Sequence, residues 1–434
     1  MRVLNASARG FEKRLLSFIE TANDISDVAG PVTEVLSAIR EHGDQAVIEY
    51  TERFDNVYLT PDRLRVPESA LKAAVKSLKP DQKRAFKAAI KSVADFHKQT
   101  LPKSWKGTNP HGATVGERFY PIQRVGLYVP GGQVPLVSTV IMTSVLAKIA
   151  GVPEIAVASP PTASNNGLPS ETMLAALYLC GITEVYAIGG AQAIGAFGYG
   201  TATVPRVDKV FGPGNAFVNE SKRQLFGRVG IDLQPGPSEV MIIADETANP
   251  AFVAADLLAQ AEHGTGKEKV YVSVPSKEFL AQVEQAKNDL LPNYSHAEAI
   301  KAVLKKGSLA IISETLEEAV KAANIVAAEH LELQVESKHL EPLTKQITTA
   351  GAILQGHWTP TVLGDFTAGP SHTLPTGRTS RFFSGLQITD FMRRSSIVRY
   401  NQVQLKKAEE VVNVFAELEQ LDAHGNSLNI RLSG

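Results

Sequence analysis

The sequence predicts an α/β protein built on parallel sheets covered by helices. From Arg124 onward, short apolar strand patterns alternate with helix patterns across tight turns rich in Gly and Pro, as in RVGLYVPGG followed by VPLVSTVIMTSVLAKIAG. Strands that alternate with helices of this length are typical of parallel sheets buried on both faces. The alternation resumes at SEVMIIAD. A chain of 434 residues is also longer than one ordinary domain with a single hydrophobic core. We therefore expect two α/β units of similar rhythm.

Composition excludes several classes of partner. The net charge is -1, with 44% hydrophobic and 21% charged residues, so the chain lacks the basic surface that nucleic acid or an anionic membrane would select. Cys180 is the only cysteine, which excludes a disulfide framework and a thiolate zinc finger. The apolar stretch PLVSTVIMTSVLA is too short to cross a bilayer, and the charged N-terminus does not resemble a signal peptide. We expect a cytoplasmic protein.

The first part of the chain carries helix patterns. Residues 1–26 predict an N-terminal helical arm. Residues 67–98 predict two helices divided at Lys79-Pro80, because proline disfavours helical backbone in the residue before it. We find no catalytic signal before Arg124.

One helix carries a stripe of polar side chains. Asn249 as N-cap predicts its start, and Gly264 predicts its end. Asp256, Gln260 and His263 recur at i, i+4 and i+7, so they share one face of an otherwise apolar helix. The stripe is either a polar edge that faces solvent or, through Gln260 and His263, a pair of ligands for a metal or a substrate.

Four loops of the alternating region contain glycine: VPGG, IGGAQ, FGPGN and PGPSE. Ligands of parallel sheets gather at the carboxyl ends of the strands, and glycine lets backbone N–H groups approach an anion closely. FGPGNAF matches the first two glycines of a dinucleotide fingerprint at Gly212 and Gly214, but Phe217 occupies the third position. The loops favour a nucleotide or phosphate pocket, and structural turns are the alternative explanation.

Candidate acids and bases stand in the last quarter of the chain. Glu329 and His330 are adjacent where a helix pattern gives way to the strand pattern LELQV. This pair suits two successive proton transfers, or it is a helix-end histidine beside a solvated carboxylate. A long polar loop, GDFTAGPSHTLPT, holds Asp365 and His372. Two further polar residues follow in a pattern typical of an exposed helix terminus: Glu419 and His424.

Eight motifs, in order, are similar to those of the histidinol dehydrogenase family: VGLYVPGG, GGAQAIGAFGYGT, VDKVFGPGNAFV, PGPSEVMIIAD, DLLAQAEHG, EHLELQ, GPSHTLPT and LDAHGNSLNIR. The resemblance covers nearly the whole chain. It implies an enzyme that oxidises L-histidinol to L-histidine through L-histidinaldehyde, in the final steps of histidine biosynthesis. It further implies two NAD used in sequence, one zinc per subunit, and a homodimer with shared active sites.

The resemblance also implies roles for the scattered polar residues. His330 would take the alcohol proton as hydride leaves, and Glu329 would activate water to attack the aldehyde. The implied zinc ligands are Gln260, His263, Asp365 and His424, the last from the neighbouring subunit. The residues implied to hold substrate are Ser238, Gln260, His263, His330, Asp365, His372, Glu419 and His424. Those implied to hold NAD are Tyr128, Gln192 and Asn215.

The family's architecture implies two incomplete Rossmann-like domains, one inserted in the other. The first would span residues 27–124 and 239–384 and hold the metal and catalytic residues. The second would span residues 125–238 and hold the NAD-binding loops. Residues 1–26 would form a short N-terminal arm, and residues 385–434 a small C-terminal helical domain for dimerisation.

Three alternatives stay open. A dehydrogenase of the same fold could act on another amino alcohol or a sulfonated diol, although the retained substrate-binding residues disfavour it. A zinc hydrolase could use Glu329 to activate water toward an amide, and strict NAD dependence would exclude it. A non-catalytic binding protein would leave the acid, base and ligand positions without use. Two departures from the family pattern, Ser371 for Asn and Pro235 for Ala, concern fine specificity because neither replaces a ligand.

Overall fold

The computed structural model describes residues 1–20, 28–131, 136–263 and 266–433. The alternation of strands and helices after Arg124 confirms the predicted α/β class. The strands are β1 (Arg2–Asn5), β2 (Trp105–Thr108), β3 (Thr114–Pro121), β4 (Arg124–Tyr128), β5 (Glu154–Ser159), β6 (Glu184–Ala187), β7 (Lys209–Phe211), β8 (Gly230–Ile231), β9 (Glu239–Ala244), β10 (Lys269–Val274), β11 (Ser308–Ile312), β12 (His330–Gln334), β13 (Ala352–Gln355) and β14 (Met392–Arg399).

The helices are α1 (Phe11–Glu20), α2 (Ala29–His42), α3 (Asp44–Asp55), α4 (Pro61–Leu64), α5 (Glu68–Ser77), α6 (Pro80–Lys98), α7 (Val137–Ile149), α8 (Glu171–Leu179), α9 (Gly190–Tyr199), α10 (Ala216–Leu225), α11 (Pro250–Ala261), α12 (Lys277–Leu290), α13 (Ala297–Gly307), α14 (Leu316–Val326), α15 (Ser337–Gln346), α16 (Thr361–Phe366), α17 (Gln402–Leu418) and α18 (Asp422–Asn429). In the described ranges, none of them has the length and apolar character needed to cross a membrane.

Two parallel sheets organise the chain. One has five strands in the order β6-β5-β4-β7-β8, and the other has six in the order β1-β11-β10-β9-β12-β13. Every strand of β9 to β12 is buried along its whole length, because helices cover both faces of the six-stranded sheet. A small antiparallel sheet, β14-β3-β2, joins the C-terminal segment to residues before β4.

Helices α2 to α6 complete the core of the five-stranded sheet. Val32 of α2 and Leu71 of α5 share one apolar core with Val125 of β4. The family's architecture implies instead that residues 27–124 belong with residues 239–384. The structure corrects this expectation for α2 to α6. An amphipathic helix shows in its sequence that one stripe is buried, but the stripe does not identify the sheet that covers it.

The N-terminal segment differs from the helical arm that the sequence predicts over residues 1–26. It begins with β1, which pairs in parallel with β11 at the edge of the six-stranded sheet. Leu4 of this strand and Leu15 of α1 lie in the apolar core on one face of that sheet. A four-residue strand with one buried side chain is too short to show a clear alternation. Residues 21–26 lie outside the described residues.

The helix with the polar stripe, α11, begins as predicted. The side-chain oxygen of Asn249 accepts a hydrogen bond from the N–H of Ala251 at 2.9 Å, and Pro250 occupies the first turn. The helix ends at Ala261, and the predicted stop, Gly264, lies outside the described residues. Asn249 therefore sets the start of the helix that carries the stripe.

Two further segments follow their predictions in outline. α5 ends at Ser77 and α6 begins at Pro80, as the Lys79-Pro80 break predicts. Residues 385–434 are mostly helical, but they include β14, which pairs along its whole length with β3. Apolar side chains of α17 and of the segment around α18 are exposed in the single chain: Val403, Val411, Val414, Phe415, Leu418 and Ile430.

Candidate active site

An acid and a base lie at the amino-terminal end of β12. His330 is the first residue of the strand and Glu329 immediately precedes it, and both side chains are buried. Nδ1 of His330 lies 3.7 Å from Oε2 of Glu329, and Nε2 lies 3.6 Å from Oδ1 of Asp365. The imidazole is therefore placed between two carboxyl groups.

Burial and neighbouring charges shift the pKa values of these groups. Burial raises the pKa of Glu329 to about 7, against the opposing effect of the His330 imidazole. Burial lowers the pKa of His330, but the carboxylates of Glu329 and Asp365 outweigh it and raise the pKa to about 9. Burial also raises the pKa of Asp365, and the imidazoles of His330, His372 and His263 outweigh it, so that this pKa is lowered. Each of these three imidazoles thus favours the ionised form of Asp365.

Two candidate ligands come from the end of α11. Gln260 is buried, and its Nε2 has no hydrogen-bond partner among the described residues. His263 follows the helix, and its Nδ1 lies 2.9 Å from Oγ of Ser238. The Nε2 of His372 is likewise buried without a partner in the described part of the chain. Buried polar atoms are normally hydrogen-bonded, so these two orphaned nitrogens indicate a site that binds a ligand.

The donor set agrees with zinc for three of the four predicted ligands. Gln260 offers an amide oxygen, His263 an imidazole nitrogen and Asp365 a carboxylate, a sulfur-free set that zinc accepts. Across the described ranges, however, no three His, Cys, Asp or Glu side chains lie together in a way that could hold a metal ion. His424 therefore does not join His263 and Asp365 within one chain.

The two C-terminal candidates lie on the helical segment at the end of the chain. Glu419 caps the C-terminal end of α17, and His424 is in α18, which packs against α17. Both residues are exposed. A single chain thus leaves these two predicted residues available to another molecule.

The catalytic cluster lies at the amino-terminal edge of its sheet. Ser238 precedes β9 and His330 begins β12. Because β9 and β10 are parallel, the connecting helix α11 returns toward this edge and delivers His263 to it. The sequence predicts PGPSE among the loops between a strand and a helix, and the structure corrects this, because the loop leads into the strand β9. Ser371, near His372, donates from Oγ to the carbonyl of Met142 in α7 at 3.4 Å, so the cluster faces the five-stranded unit.

The predicted cofactor-binding residues meet at the carboxyl edge of the five-stranded sheet. Tyr128 ends β4, and its hydroxyl accepts a hydrogen bond from the N–H of Gly190 at 3.1 Å. Gln192, in the first turn of α9, is buried and donates to Oδ2 of Asp55 at 3.3 Å. Asn215 caps α10 with its side-chain oxygen. The three residues lie at or after the carboxyl ends of three strands of one sheet, where ligands of parallel sheets commonly bind.

Gly212 allows a close approach between two of these loops. Its φ is +112°, and a Cβ at this position would lie 1.9 Å from the carbonyl oxygen of Tyr128. The N–H of Gly212 donates to Oδ2 of Asp232 at 2.7 Å. Lys222 and Asp232 form a buried ion pair, and the Lys222 ammonium also donates to the carbonyl of Gly212. The ion pair fixes the FGPGN loop against β4.

Two acidic residues beside these sites carry no local signal in the sequence. Asp55 ends α3, and burial raises its pKa to about 6 next to Gln192. Glu239 begins β9, and burial together with Glu329 raises its pKa to about 8. Their partners are 137 and 90 residues away in the chain, so no local spacing indicates either residue.

The fold and the site together define an α/β protein in which a buried acid–base cluster lies at the edge of one parallel sheet and glycine-bearing loops follow the strands of the other. A family model described as histidinol dehydrogenase matches residues 19–432. The chain is 41% identical over 411 residues to histidinol dehydrogenase of Thermosynechococcus vestitus, covering 95% of this chain and 94% of the relative. It is 40% identical over 437 residues to that of Hydrogenovibrio crunogenus, covering 100% of this chain and 99% of the relative.

A crystal structure of histidinol dehydrogenase from Elizabethkingia anophelis has the same fold, with a TM-score of 0.93 and 32% identity over 100% of this chain and 98% of that one. The chain belongs to the histidinol dehydrogenase family, as its eight motifs predict. It is therefore assigned to the oxidoreductases.

Proposed function

We propose that this chain catalyses the NAD-dependent four-electron oxidation of L-histidinol to L-histidine through L-histidinaldehyde, in the final steps of histidine biosynthesis. Membership of the family supports the substrate and the pathway. The observation that carries the mechanism is the placement of His330 between Glu329 and Asp365, at 3.7 and 3.6 Å.

His330 serves the first oxidation. Its Nε2, on the side of Asp365, takes the proton of the substrate alcohol while the carbon gives up a hydride. The carboxylates of Glu329 and Asp365 raise the pKa of this imidazole to about 9, so the neutral form that accepts the alcohol proton becomes more populated as pH rises toward that value. The aldehyde forms as the oxygen–hydrogen and carbon–hydrogen bonds break.

Glu329 serves the second oxidation. Its Oε2 accepts a hydrogen bond from the N–H of Glu239 at 3.0 Å, which holds the carboxylate in place. The carboxylate takes a proton from water as the water oxygen bonds to the aldehyde carbon. A pKa of about 7 suits a base that works near neutral pH. The resulting hydrate anion gives up the second hydride to NAD and becomes the carboxylic acid, which releases its proton to form the carboxylate of histidine.

The cofactors are part of the proposal. Gln260, His263 and Asp365 would hold one zinc ion per subunit together with His424 from a second chain, and the bound ion would supply a Lewis acid that fixes the amine and imidazole of the substrate. NAD, held by Tyr128, Gln192 and Asn215, would supply the hydride acceptor. Residues proposed to hold the substrate beside these ligands are Ser238 and His372, with Glu419 from the second chain.

The proposal includes a cytoplasmic homodimer with shared sites. The exposure of His424 and its separation from His263 and Asp365 within one chain support a site completed by a second subunit. The exposed apolar side chains of α17 support the same conclusion, since contiguous apolar surface on a folded chain commonly marks an interface.

Removal and return of zinc tests this proposal. The purified chain is stripped with a chelator, dialysed, and assayed with L-histidinol and NAD before and after reloading with Zn²⁺. We expect NADH to form only after reloading. NADH formation by fully stripped protein would contradict the zinc requirement. Turnover of other amino alcohols or diols, but not of histidinol, would contradict the substrate.

A further inference from the structure

One member of the polar stripe on α11 has no part in the proposed reaction. Gln260 and His263 are proposed ligands, but Asp256 lies one turn earlier on the same face of the helix. Its carboxyl group, which is half-buried, joins three buried side chains in a set here called the carboxyl cluster: Asp256, Glu332, Gln334 and Thr361.

Hydrogen bonds connect the carboxyl cluster across three elements. Nε2 of Gln334 donates to Oδ2 of Asp256 at 2.8 Å and to Oε2 of Glu332 at 3.0 Å. Oε1 of Glu332 accepts from the backbone N–H of Thr361 at 2.8 Å and from its hydroxyl at 2.7 Å. Glu332 is fully buried at 0% exposure, so these donors replace the water that would otherwise solvate it.

Asp256 completes the cluster as a proton donor. Burial, the neighbouring charge of Glu332 and a hydrogen bond to that carboxylate raise the pKa of Asp256 to about 8. The protonated form of Asp256 is therefore favoured beside the Glu332 carboxylate. An asparagine at position 256 reproduces this donor and acceptor pattern, whereas an alanine removes both.

Each element joined by the carboxyl cluster also carries a residue of the active site. α11 leads from Asp256 to Gln260 and His263. β12 presents His330 and Glu332 on one face, because side chains two apart in a strand point the same way. α16 leads from Thr361 to Asp365 in one turn. The carboxyl cluster thus joins the three elements. Its members lie one helical turn from Gln260 and Asp365 and two strand residues from His330.

We propose that Asp256 and Glu332 are positioning residues that tie α11, β12 and α16 together and thereby set the geometry in which Gln260, His263 and Asp365 bind a divalent metal. This inference rests on the proposed function. The carboxyl cluster would hold the ligands in place without contacting the metal. Loss of residues that orient metal ligands typically weakens metal binding by about 10- to 100-fold.

The test measures Zn²⁺ affinity directly, by competition with a chromogenic chelator on the full-length, metal-free protein. Asp256→Ala should bind Zn²⁺ about 10- to 100-fold more weakly than the wild type. Asp256→Asn should bind close to the wild type, because it keeps the hydrogen bonds of the protonated acid. Thr361→Val removes one donor to Glu332 from the α16 side and should also weaken binding.

A matched control separates positioning from general loss of stability. Ser273 and Ser313 form a buried hydrogen bond of 2.8 Å in the same unit, away from the carboxyl cluster. Ser273→Ala should lower the Tm without changing Zn²⁺ affinity. If Asp256→Ala does not fold, the Zn²⁺ affinities of the other three variants decide. Weaker binding in Thr361→Val than in Asp256→Asn and Ser273→Ala supports the inference, and equal binding in all three overturns it.

Three results would overturn the inference while leaving the proposed function intact: wild-type affinity in Asp256→Ala, equal weakening in Asp256→Asn and Asp256→Ala, or equal weakening in Ser273→Ala. Failure of the wild-type chain to take up Zn²⁺ would remove the inference together with the zinc site of the proposed function.

Discussion

Nδ1 of His330 lies 3.7 Å from Oε2 of Glu329. The two residues are adjacent in the chain, and each is the proposed base of one oxidation step. Consecutive residues within a strand point to opposite faces. Glu329 lies just before β12, where the chain has left α14 through Ala327 with a φ of 52°. This entry lets both side chains face one reacting carbon.

Separate changes of the two residues should affect different steps. Glu329→Gln should slow oxidation of L-histidinaldehyde more than oxidation of L-histidinol, and His330→Asn should suppress the alcohol step. General acid–base groups contribute about 10²- to 10⁴-fold, so losses of that size are expected. Single-turnover NADH formation from each substrate measures the steps, with the exposed Glu278→Gln as control. Wild-type rates in either variant would remove the role assigned to that residue.

Glu239 should make stability depend on pH. Its pKa of about 8 in the folded chain lies above the ordinary value of 4.5, mainly because it is buried. The folded state therefore keeps a proton that the unfolded state has released, and this contribution to stability is lost as pH rises from about 4.5 to about 8. Glu239→Gln cannot ionise, so its Tm should gain on the wild type by several degrees across that interval. A difference in Tm between Glu239→Gln and the wild type that stays the same at every pH would contradict this assignment.

Gly212 should be required for binding of the dinucleotide. In Gly212→Ala the new Cβ would meet the carbonyl of Tyr128 at 1.9 Å and displace the end of β4. Gly227→Ala is a matched control, since Gly227 has a φ of +95° and nothing within 4 Å of a Cβ. Both variants carry about 1–3 kcal/mol of backbone strain, but only the first distorts the loop edge. NADH fluorescence titrations should show at least about tenfold weaker binding in Gly212→Ala alone; equal affinities would refute the role of this loop.

Sites shared between subunits should allow two inactive chains to complement each other. His424→Ala and Gln260→Ala are each expected to be inactive as homodimers. After subunit exchange in an equal mixture, half of the dimers are mixed, and each mixed dimer has one intact site, so about a quarter of wild-type activity should return. Exchange is verified with differently tagged chains. Verified mixed dimers without activity would show that each chain builds its own site.

Local chemistry is what the sequence predicts well. The side chain of Asn249 caps α11, the Lys79-Pro80 break divides α5 from α6, and the loops IGGAQ and FGPGN follow the carboxyl ends of β6 and β7. Each of these features depends on residues within a few positions of one another. Spacing along a helix likewise places Gln260 and His263 on one face.

Long-range partners are what the sequence does not reveal. Gln334 reaches Asp256 across 78 residues, and no local pattern relates the two. The helices of residues 28–98 show an apolar stripe, but the sheet that receives it is decided by the whole fold. His424 has no partner site in its own chain, so only the resemblance to a family suggested its role.

The most direct test of the central claim is the number of NADH molecules formed per molecule of L-histidinol by the zinc-loaded protein. Limiting histidinol is incubated with excess NAD, and NADH and histidine are measured at completion. We expect two NADH and one histidine per histidinol. One NADH with accumulation of the aldehyde, or no NADH from a folded, metal-loaded dimer, would contradict it.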